Sequence, residues 1–396
     1  MTGPGTLRVA VVAESFLPQV NGVVNSVLRI LEHLRRSGHE AVVIAPGVAR
    51  RDRRDRREGR EPVTHYEGFP VVRVPALYLP RIPSLPVGVP SPALATALRR
   101  FRPDVIHLAS PFVLGAGGAV AAAALRIPTV AVYQTDVPGY VDQYDLGFIR
   151  PALRAGAWEV VRRIHNHAAV TLAPSSATAA MLTDHGVRRV RRWARGVDAD
   201  LFHPDRRSND LRRRWDPSGT RTLVGYVGRL ASEKNVQRLR VLAVDPTIRL
   251  VIVGDGPERH ALEHLLPDAV FTGELRGTGL AEAYASLDVF VHPGEFETFC
   301  QGIQEALVSG VPTVGPAAGG PLDLVDPGVN GELLDVASFE QDLPDAVARL
   351  SGPDHDRMAD AARAGVMHRT WPALCGELVE VYREVSGEDA RGGIPG

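Results

Sequence analysis

Lysine is nearly missing from this chain: among its 45 basic residues only Lys234 is a lysine, and the rest are arginine. That bias reflects genomic base composition more than function. An excess of one charge is missing too. The 46 acidic residues bring the net charge to −1, so no nucleic-acid partner is implied globally. The two cysteines, Cys300 and Cys375, have no metal or redox spacing, and a cytoplasmic setting is expected. No stretch is apolar for long enough to span a bilayer. The first apolar run, Val9–Ala13, breaks at Glu14 and suits a strand rather than a signal peptide. Neither Gly-x-Gly-x-x-Gly nor a Walker pattern follows it, so a dinucleotide or P-loop site has no support there.

What is present is alternation. At 396 residues the chain exceeds one comfortable core, and two domains are the prior. Short β-branched runs at Leu7–Ala13, Ala41–Ala45, Val71–Val74, Val105–Leu108, Thr129–Tyr133 and Val170–Ala173 alternate with helical patterns at Asn21–Ser37, Pro92–Phe101, Leu114–Arg126, Pro151–His167 and Ser175–Gly186. A second series has strands at Thr222–Val227, Leu250–Val253, Val270–Thr272, Val289–His292 and Thr313–Gly315. Continuous apolar strands alternating with helices mean buried parallel sheets, and two series mean two doubly wound α/β domains. The polar segment Pro204–Gly219 is the expected break, giving domains over 1–205 and 215–370. After Ser338 the chain reads as helical, ending in a helix from about Trp371 to Val385, and the Arg/Asp run Ala49–Glu61 reads as a loop.

The segment from His292 to Ala306 combines a strand end, a glycine turn and a helix predicted over about Thr298–Ser309. Phe299, Ile303, Ala306 and Leu307 form its buried stripe. Free N–H groups at Thr298, Phe299, Cys300 and Gln301 would bind an anion. Glu297 at that start would repel the anion unless it binds something else there, such as a sugar hydroxyl. Glu305 follows eight residues later, a rise of roughly 12 Å along a helix. Glycosidase carboxylates sit about 5 to 9.5 Å apart across the scissile bond, so a hydrolase pair is disfavoured. A plainer alternative is that Glu297 only favours the helix dipole and Glu305 is solvated.

Ligands of open α/β sheets bind outside the C-terminal strand ends, and other candidates lie there. Gly22 opens the first helix and allows close backbone approach. Arg229 and Lys234 follow the first strand of the second series, where they would neutralise a diphosphate. An ion pair with the intervening Glu233 is the alternative. Gly254 and Gly256, then Gly273 and Leu275, end the next two strands, either flanking a base or simply turning the chain.

In order, Arg195-Gly196-Val197-Asp198 with Phe202 and Pro204, Gly228-Arg229-Leu230 with Glu233-Lys234, Gly254-Asp255-Gly256-Pro257, Phe271-Thr272-Gly273 and Glu297-x7-Glu305 resemble the retaining glycosyltransferases of family four. Glu14–Val23 and Tyr133-Gln134-Thr135-Asp136 are more closely similar to actinobacterial GDP-mannose-dependent α-mannosyltransferases of glycolipid synthesis, and also to sulfoquinovosyltransferases, which use a UDP-sugar. Arg195 and Gly294 depart from the Asn and Ser common in the family.

The resemblance covers nearly the whole chain and implies a GT-B fold. Two Rossmann-like domains would face across a cleft, with the C-terminal helix (371–387) crossing back to the first. It implies catalytic or donor-binding roles for Glu297, Arg229 and Lys234, with Glu297 on the donor sugar and Glu305 on the nucleotide ribose. It further implies retention without a side-chain nucleophile. The nucleotide-sugar is a substrate, no cofactor is implied and no metal is needed. Tyr133, Gln134 and Asp136 would face the acceptor side, although a strand-end Asp is more often a cap. His107 is as readily packed as functional.

Leu77–Pro83 and Pro151–Arg163, with Arg150, Arg154, Arg162 and Arg163, mix apolar residues with arginine in a way that suits an anionic membrane surface. The expected partners are thus a nucleotide-diphosphate sugar, a glycolipid or glycan acceptor and that surface, with peripheral attachment in the cytoplasm. Readings from other classes are a nucleotide-sugar epimerase, which would convert donor without acceptor, and a glycan- or nucleotide-binding protein without turnover.

Overall fold

The computed structural model describes residues 5–19, 21–47, 63–79, 82–89, 91–109, 111–135 and 150–387; for Tyr78, Leu79, residues 82–87 and Arg150 it describes the backbone alone. The Arg/Asp run Ala49–Glu61 lies outside the described residues. Two compact units emerge. One comprises Met1–Pro174, Ala179–Trp193 and Leu374–Gly396, the other Ser175–Thr178 and Ala194–Ala373.

In the first unit β1 (Arg8–Ala13), β2 (Glu40–Pro46), β3 (His65–Tyr66), β4 (Phe69–Val74), β7 (Val105–Ala109), β8 (Thr129–Val132), β9 (Val170–Ala173) and β10 (Val190–Arg192) form one sheet. Its order is β10-β9-β8-β7-β1-β2-β4-β3, and only the β3–β4 pair is antiparallel. Helices α1 (Gly22–Arg36), α2 (Pro92–Phe101), α3 (Val113–Leu125), α4 (Arg150–His167) and α5 (Ser176–Asp184) connect the strands. Burial is near complete from Val9 to Ala13, as both covered faces of a parallel sheet require. Strands β5 (Ala76–Leu79) and β6 (Ile82–Gly88) form a separate antiparallel hairpin over much of the Leu77–Pro83 segment. The C-terminal helix Trp371–Ser386 belongs to this unit from Leu374 onward, and its Tyr382 hydroxyl meets His107 Nδ1 at 2.8 Å. His107 is therefore packed, and burial pulls its pKa down to about 4.

The second unit holds β11 (Thr222–Val227), β12 (Ile248–Val253), β13 (Val270–Gly273), β14 (Val289–Val291), β15 (Thr313–Pro316) and β16 (Gly331–Leu334), all parallel, in the order β13-β12-β11-β14-β15-β16. Its helices are α6 (Asn209–Trp215), α7 (Arg259–Leu265), α8 (Gly277–Ala285), α9 (Gln301–Val308), α10 (Phe339–Leu350) and α11 (His355–Val366).

The expected break at Pro204–Gly219 is corrected. The chain leaves the first unit after Trp193, and the polar segment folds onto the second. Arg207 donates to Leu287 O at 2.9 Å, Arg212 to Asp288 Oδ1 at 2.8 Å, and Trp215 is buried. Arginines used as anchors look like a linker when only composition is read. Strands β3, β10 and β16 and the β5–β6 hairpin were also not expected, because they are short and several carry Pro, Gly or charge.

Candidate active site

The second sheet reverses its strand order between β11 and β14, which is where a doubly wound sheet opens a crevice at its carboxyl edge. Arg229 and Lys234 follow β11, while Glu297 and α9 follow β14. Lys234 closes a 3₁₀ turn, Ser232–Lys234, and Asn235 behind it is left-handed (φ 52°). Lys234 Nζ contacts Glu297 Oε1 directly, and His292 Nε2 stands 3.2 Å from the same oxygen. Burial would raise the Glu297 carboxyl, but His292 and then Lys234 outweigh it and bring it down to about 2. Burial would lower the Lys234 ammonium; Glu297 beside it holds it above the ordinary lysine value instead. Glu297 is therefore an anion throughout the neutral range. His292 was missed by sequence reading, since a strand-end histidine carries no spacing signal.

The loop bearing Glu297 is braced by its neighbours. Arg238 donates to Pro293 O and to Glu295 Oε2, each at 3.2 Å, and Gly320 N donates to Glu297 O at 2.8 Å. A Cβ at Gly319 would lie 2.5 Å from Glu297 O, so glycine is required there.

Helix α9 begins at Gln301, three residues later than expected, because Cys300 at its start is left-handed (φ 72°). Thr298 lies in the lead-in, and the Phe299 and Cys300 side chains are buried in the core; only their backbone can reach a ligand. Ile303, Ala306 and Leu307 fill the predicted stripe. Glu305 is half-buried rather than solvated. Burial pushes it up to about 7 against the pull of the Tyr284 hydroxyl, Arg195 and Gln301. Arg229 extends into solvent and pairs with Glu233, the alternative the sequence had offered.

The three loops at the ends of β11, β12 and β13 are stitched together. Leu230 N donates to Asp255 O at 2.9 Å, and Gly254 N to Gly273 O at 2.8 Å. A Cβ would lie 1.9 Å from Gly228 O at Gly254 and 2.2 Å from Leu230 O at Gly256. These glycines serve backbone packing that keeps the strand ends together. Leu275 packs beside the core.

In the first unit, Gly22 opens α1 as expected, exposed and capped by Asn21 Oδ1 accepting from Val24 N at 2.9 Å. The switch point of that sheet, between β1 and β7, is filled from within. Glu14 Oε1 accepts from Phe112 N at 2.6 Å and Gly115 N at 2.8 Å, and Oε2 accepts from Leu114 N at 3.1 Å. A carboxylate already occupies the start of α3, which leaves the anion-site geometry to the second unit. Tyr133 is corrected: it is 2% exposed and packs with Trp158, Val161 and Leu182, so its ring is core. Gln134 is half-buried with Oε1 unpartnered among the described residues, and Asp136 lies outside them. Among the described residues no helix is long and apolar enough to cross a membrane.

A doubly wound sheet with a cation–carboxylate cluster and a helix start at its switch point has the arrangement in which open α/β sheets hold ligands. Residues 20–201 match the family model described as Glycosyltransferase Family 4, and residues 208–364 match Glycosyl transferases group 1. The chain belongs to the family-four glycosyltransferases, which are of the GT-B fold. It is 55% identical over 380 residues to a GDP-mannose-dependent alpha-mannosyltransferase of Corynebacterium glutamicum, covering 96% of this chain and 89% of that one. A protein of the same description from Mycolicibacterium smegmatis is 54% identical, covering 96% and 98%. The sulfoquinovosyl transferase SQD2 of Arabidopsis thaliana is 33% identical, covering 92% and 71%. The fold is shared with the solved structure of Anabaena Alr3699/HepE in complex with UDP, at TM-score 0.73 and 18% identity over 96% of this chain and all of that one.

Proposed function

We propose that the protein transfers an α-mannosyl group from GDP-mannose to a glycolipid or glycan hydroxyl, with retention of configuration. The observation that carries this is the Lys234–Glu297–His292 cluster at the switch point of the second sheet. The choice of GDP-mannose is supported by the names of the relatives at 54–55% identity. In the reaction the bond between C1 of the sugar and the diphosphate oxygen breaks, and negative charge grows on the leaving diphosphate. Arg229, Lys234 and the first N–H groups of α9 meet that charge. Ionised Glu297 accepts hydrogen bonds from the donor sugar's hydroxyls, and Glu305 from the ribose. The acceptor hydroxyl attacks from the face of departure and gives its proton to the leaving phosphate oxygen. Protein cations neutralise the diphosphate, so transfer is expected to persist with a chelator present.

For the acceptor, attachment to an anionic membrane surface is supported by the exposed Leu77 on β5 and by Leu153 and Val160 on α4, the helix that also carries Arg154 and Arg163. Arg162 and Arg163 already share Glu159, which weakens their contribution. Peripheral attachment in the cytoplasm goes with this reading.

Thermal stabilisation by GDP, UDP and ADP, measured in parallel without metal, tests the donor. A shift with GDP alone is expected. A shift with UDP alone would replace GDP-mannose by a UDP-sugar, and no shift would remove the diphosphate site.

A further inference from the structure

The carbonyl oxygens of Glu297 and Thr298, consecutive along the chain, are each held by a segment distant in sequence. Gly320 N donates to Glu297 O at 2.8 Å, and the Thr178 hydroxyl donates to Thr298 O at 3.2 Å. Thr178 is itself oriented. Ser175 Oγ donates to Thr178 Oγ1 at 3.0 Å and accepts from Thr178 N at 3.2 Å. With its oxygen already receiving one hydrogen, the Thr178 hydroxyl directs its own to Thr298 O. Both residues are buried, at 0% exposure for Ser175 and 4% for Thr178.

The two holding segments are joined in turn. Asp323 Oδ2 accepts from Ser176 N at 2.6 Å, and Oδ1 accepts from the Ser176 hydroxyl. Arg369 donates to Asp323 O at 2.8 Å. Asp323 ends the 3₁₀ turn that begins at Gly320, the residue bonded to Glu297. A path therefore closes on itself through Thr298, Thr178, Ser176, Asp323, Gly320 and Glu297. All six residues lie in the second unit, which includes Ser175–Thr178 at the start of α5. The ring has little slack, since a Cβ at Gly320 would lie 2.1 Å from Phe299 O, the next carbonyl along.

A single hydrogen bond leaves a peptide free to swing about it, whereas a closed ring fixes its orientation. The peptide between Glu297 and Thr298 carries the carboxylate on one side and leads into α9 on the other. A site of this kind works only when such groups are held by supporting contacts. We propose that Thr178 and Asp323 are positioning residues of the reaction, fixing through this ring the peptide that aims Glu297 and the N–H groups after it. This rests on the reading that places the donor sugar at Glu297.

The test has two readouts on the full-length protein. The first is amide hydrogen exchange at Gly320 N in the unliganded protein, followed by NMR. Thr178→Val keeps the shape and loses the hydroxyl, Thr178→Ser keeps the hydroxyl, and Asp323→Asn removes the charge. Exchange should quicken about 10-fold or more in Thr178→Val and Asp323→Asn as the ring opens locally, and stay near wild type in Thr178→Ser. Unchanged exchange in Thr178→Val overturns the proposal, and Thr178→Ala serves in the same way should that variant not fold.

The second readout is GDP release from GDP-mannose. In Thr178→Val kcat should fall about 10-fold, with KM for GDP-mannose within a few-fold and Thr178→Ser near wild type. The Thr178→Val/Asp323→Asn double variant should lose no more than the worse single variant, because the ring is already open. Losses that multiply would overturn the ring. Quickened exchange with wild-type turnover would keep the ring and reject the assignment of Glu297 to the donor sugar.

Discussion

Nε2 of His292 lies 3.2 Å from the Glu297 oxygen that Lys234 also contacts, so one carboxylate oxygen is held from two sides. His292 in turn stacks on Tyr226, with ring centroids 6.0 Å apart. His292→Phe should keep the stack and lose the nitrogen. Nε2 faces the carboxylate without a formed hydrogen bond, so the contact is electrostatic, and its loss should lower kcat by about 10-fold while GDP affinity stays within a few-fold. Unchanged turnover would mean that Lys234 alone orients Glu297.

Removing the carboxylate itself is harsher. Glu297→Ala should cut transfer by at least about 100-fold, the scale of one lost electrostatic contact in a transition state. Nucleotide binding, measured by calorimetry, should change only a few-fold. Full activity in this variant would exclude Glu297 from the reaction.

Lys234→Ala should weaken GDP binding about 10- to 100-fold, and Lys234→Arg should not restore it, because the fork does not replace a point charge against Glu297. Equal affinity in wild type and Lys234→Ala would take the ammonium out of the diphosphate site.

Much of this was legible in the sequence. Strand β11, Thr222–Val227, and helix α2, Pro92–Phe101, fall where apolar runs and end signals put them. The Glu297 and Glu305 positions, the cations after β11 and the glycines at strand ends are all found at one sheet edge. What was hidden depends on contacts distant in sequence. Glu14 finds its partners around residue 112, and Asp288 receives Arg207 and Arg212. Cys300 adopts a left-handed backbone that no cysteine propensity announces, and it delays α9 by three residues. Tyr133 looked like a strand-end ligand because the helix that buries it, α4, follows in sequence and covers it only in space.

A packing prediction concerns Gly254. Its substitution by Ala would put a methyl 1.9 Å from Gly228 O at a backbone φ of 135°, so the loops after β11 and β12 must separate. A loss of about 2 kcal/mol or more is expected, seen as a lower urea midpoint. A midpoint equal to wild type would mean that the stitched loops yield freely.

Acid should destabilise the first unit through His107 and His165, both buried and both pulled down to about 4. Their folded values lie below the unfolded value of about 6.5. The stability they contribute is complete above that value and is lost as pH falls from it through 4. Glu305 runs the other way, since its raised value costs stability as pH rises through 7. The urea midpoint should therefore drop more steeply from neutral to about pH 5 in Glu305→Gln than in wild type. An identical slope in both would show that Glu305 titrates alike folded and unfolded.

The scarcity of lysine turns one ion pair into a reporter. With Lys234 the only lysine in the sequence, an isotope placed in lysine reports on a single side chain, and that side chain sits against Glu297. The protein thus carries a native single-site probe of that ion pair, one whose signal changes when a ligand draws the ammonium away from Glu297.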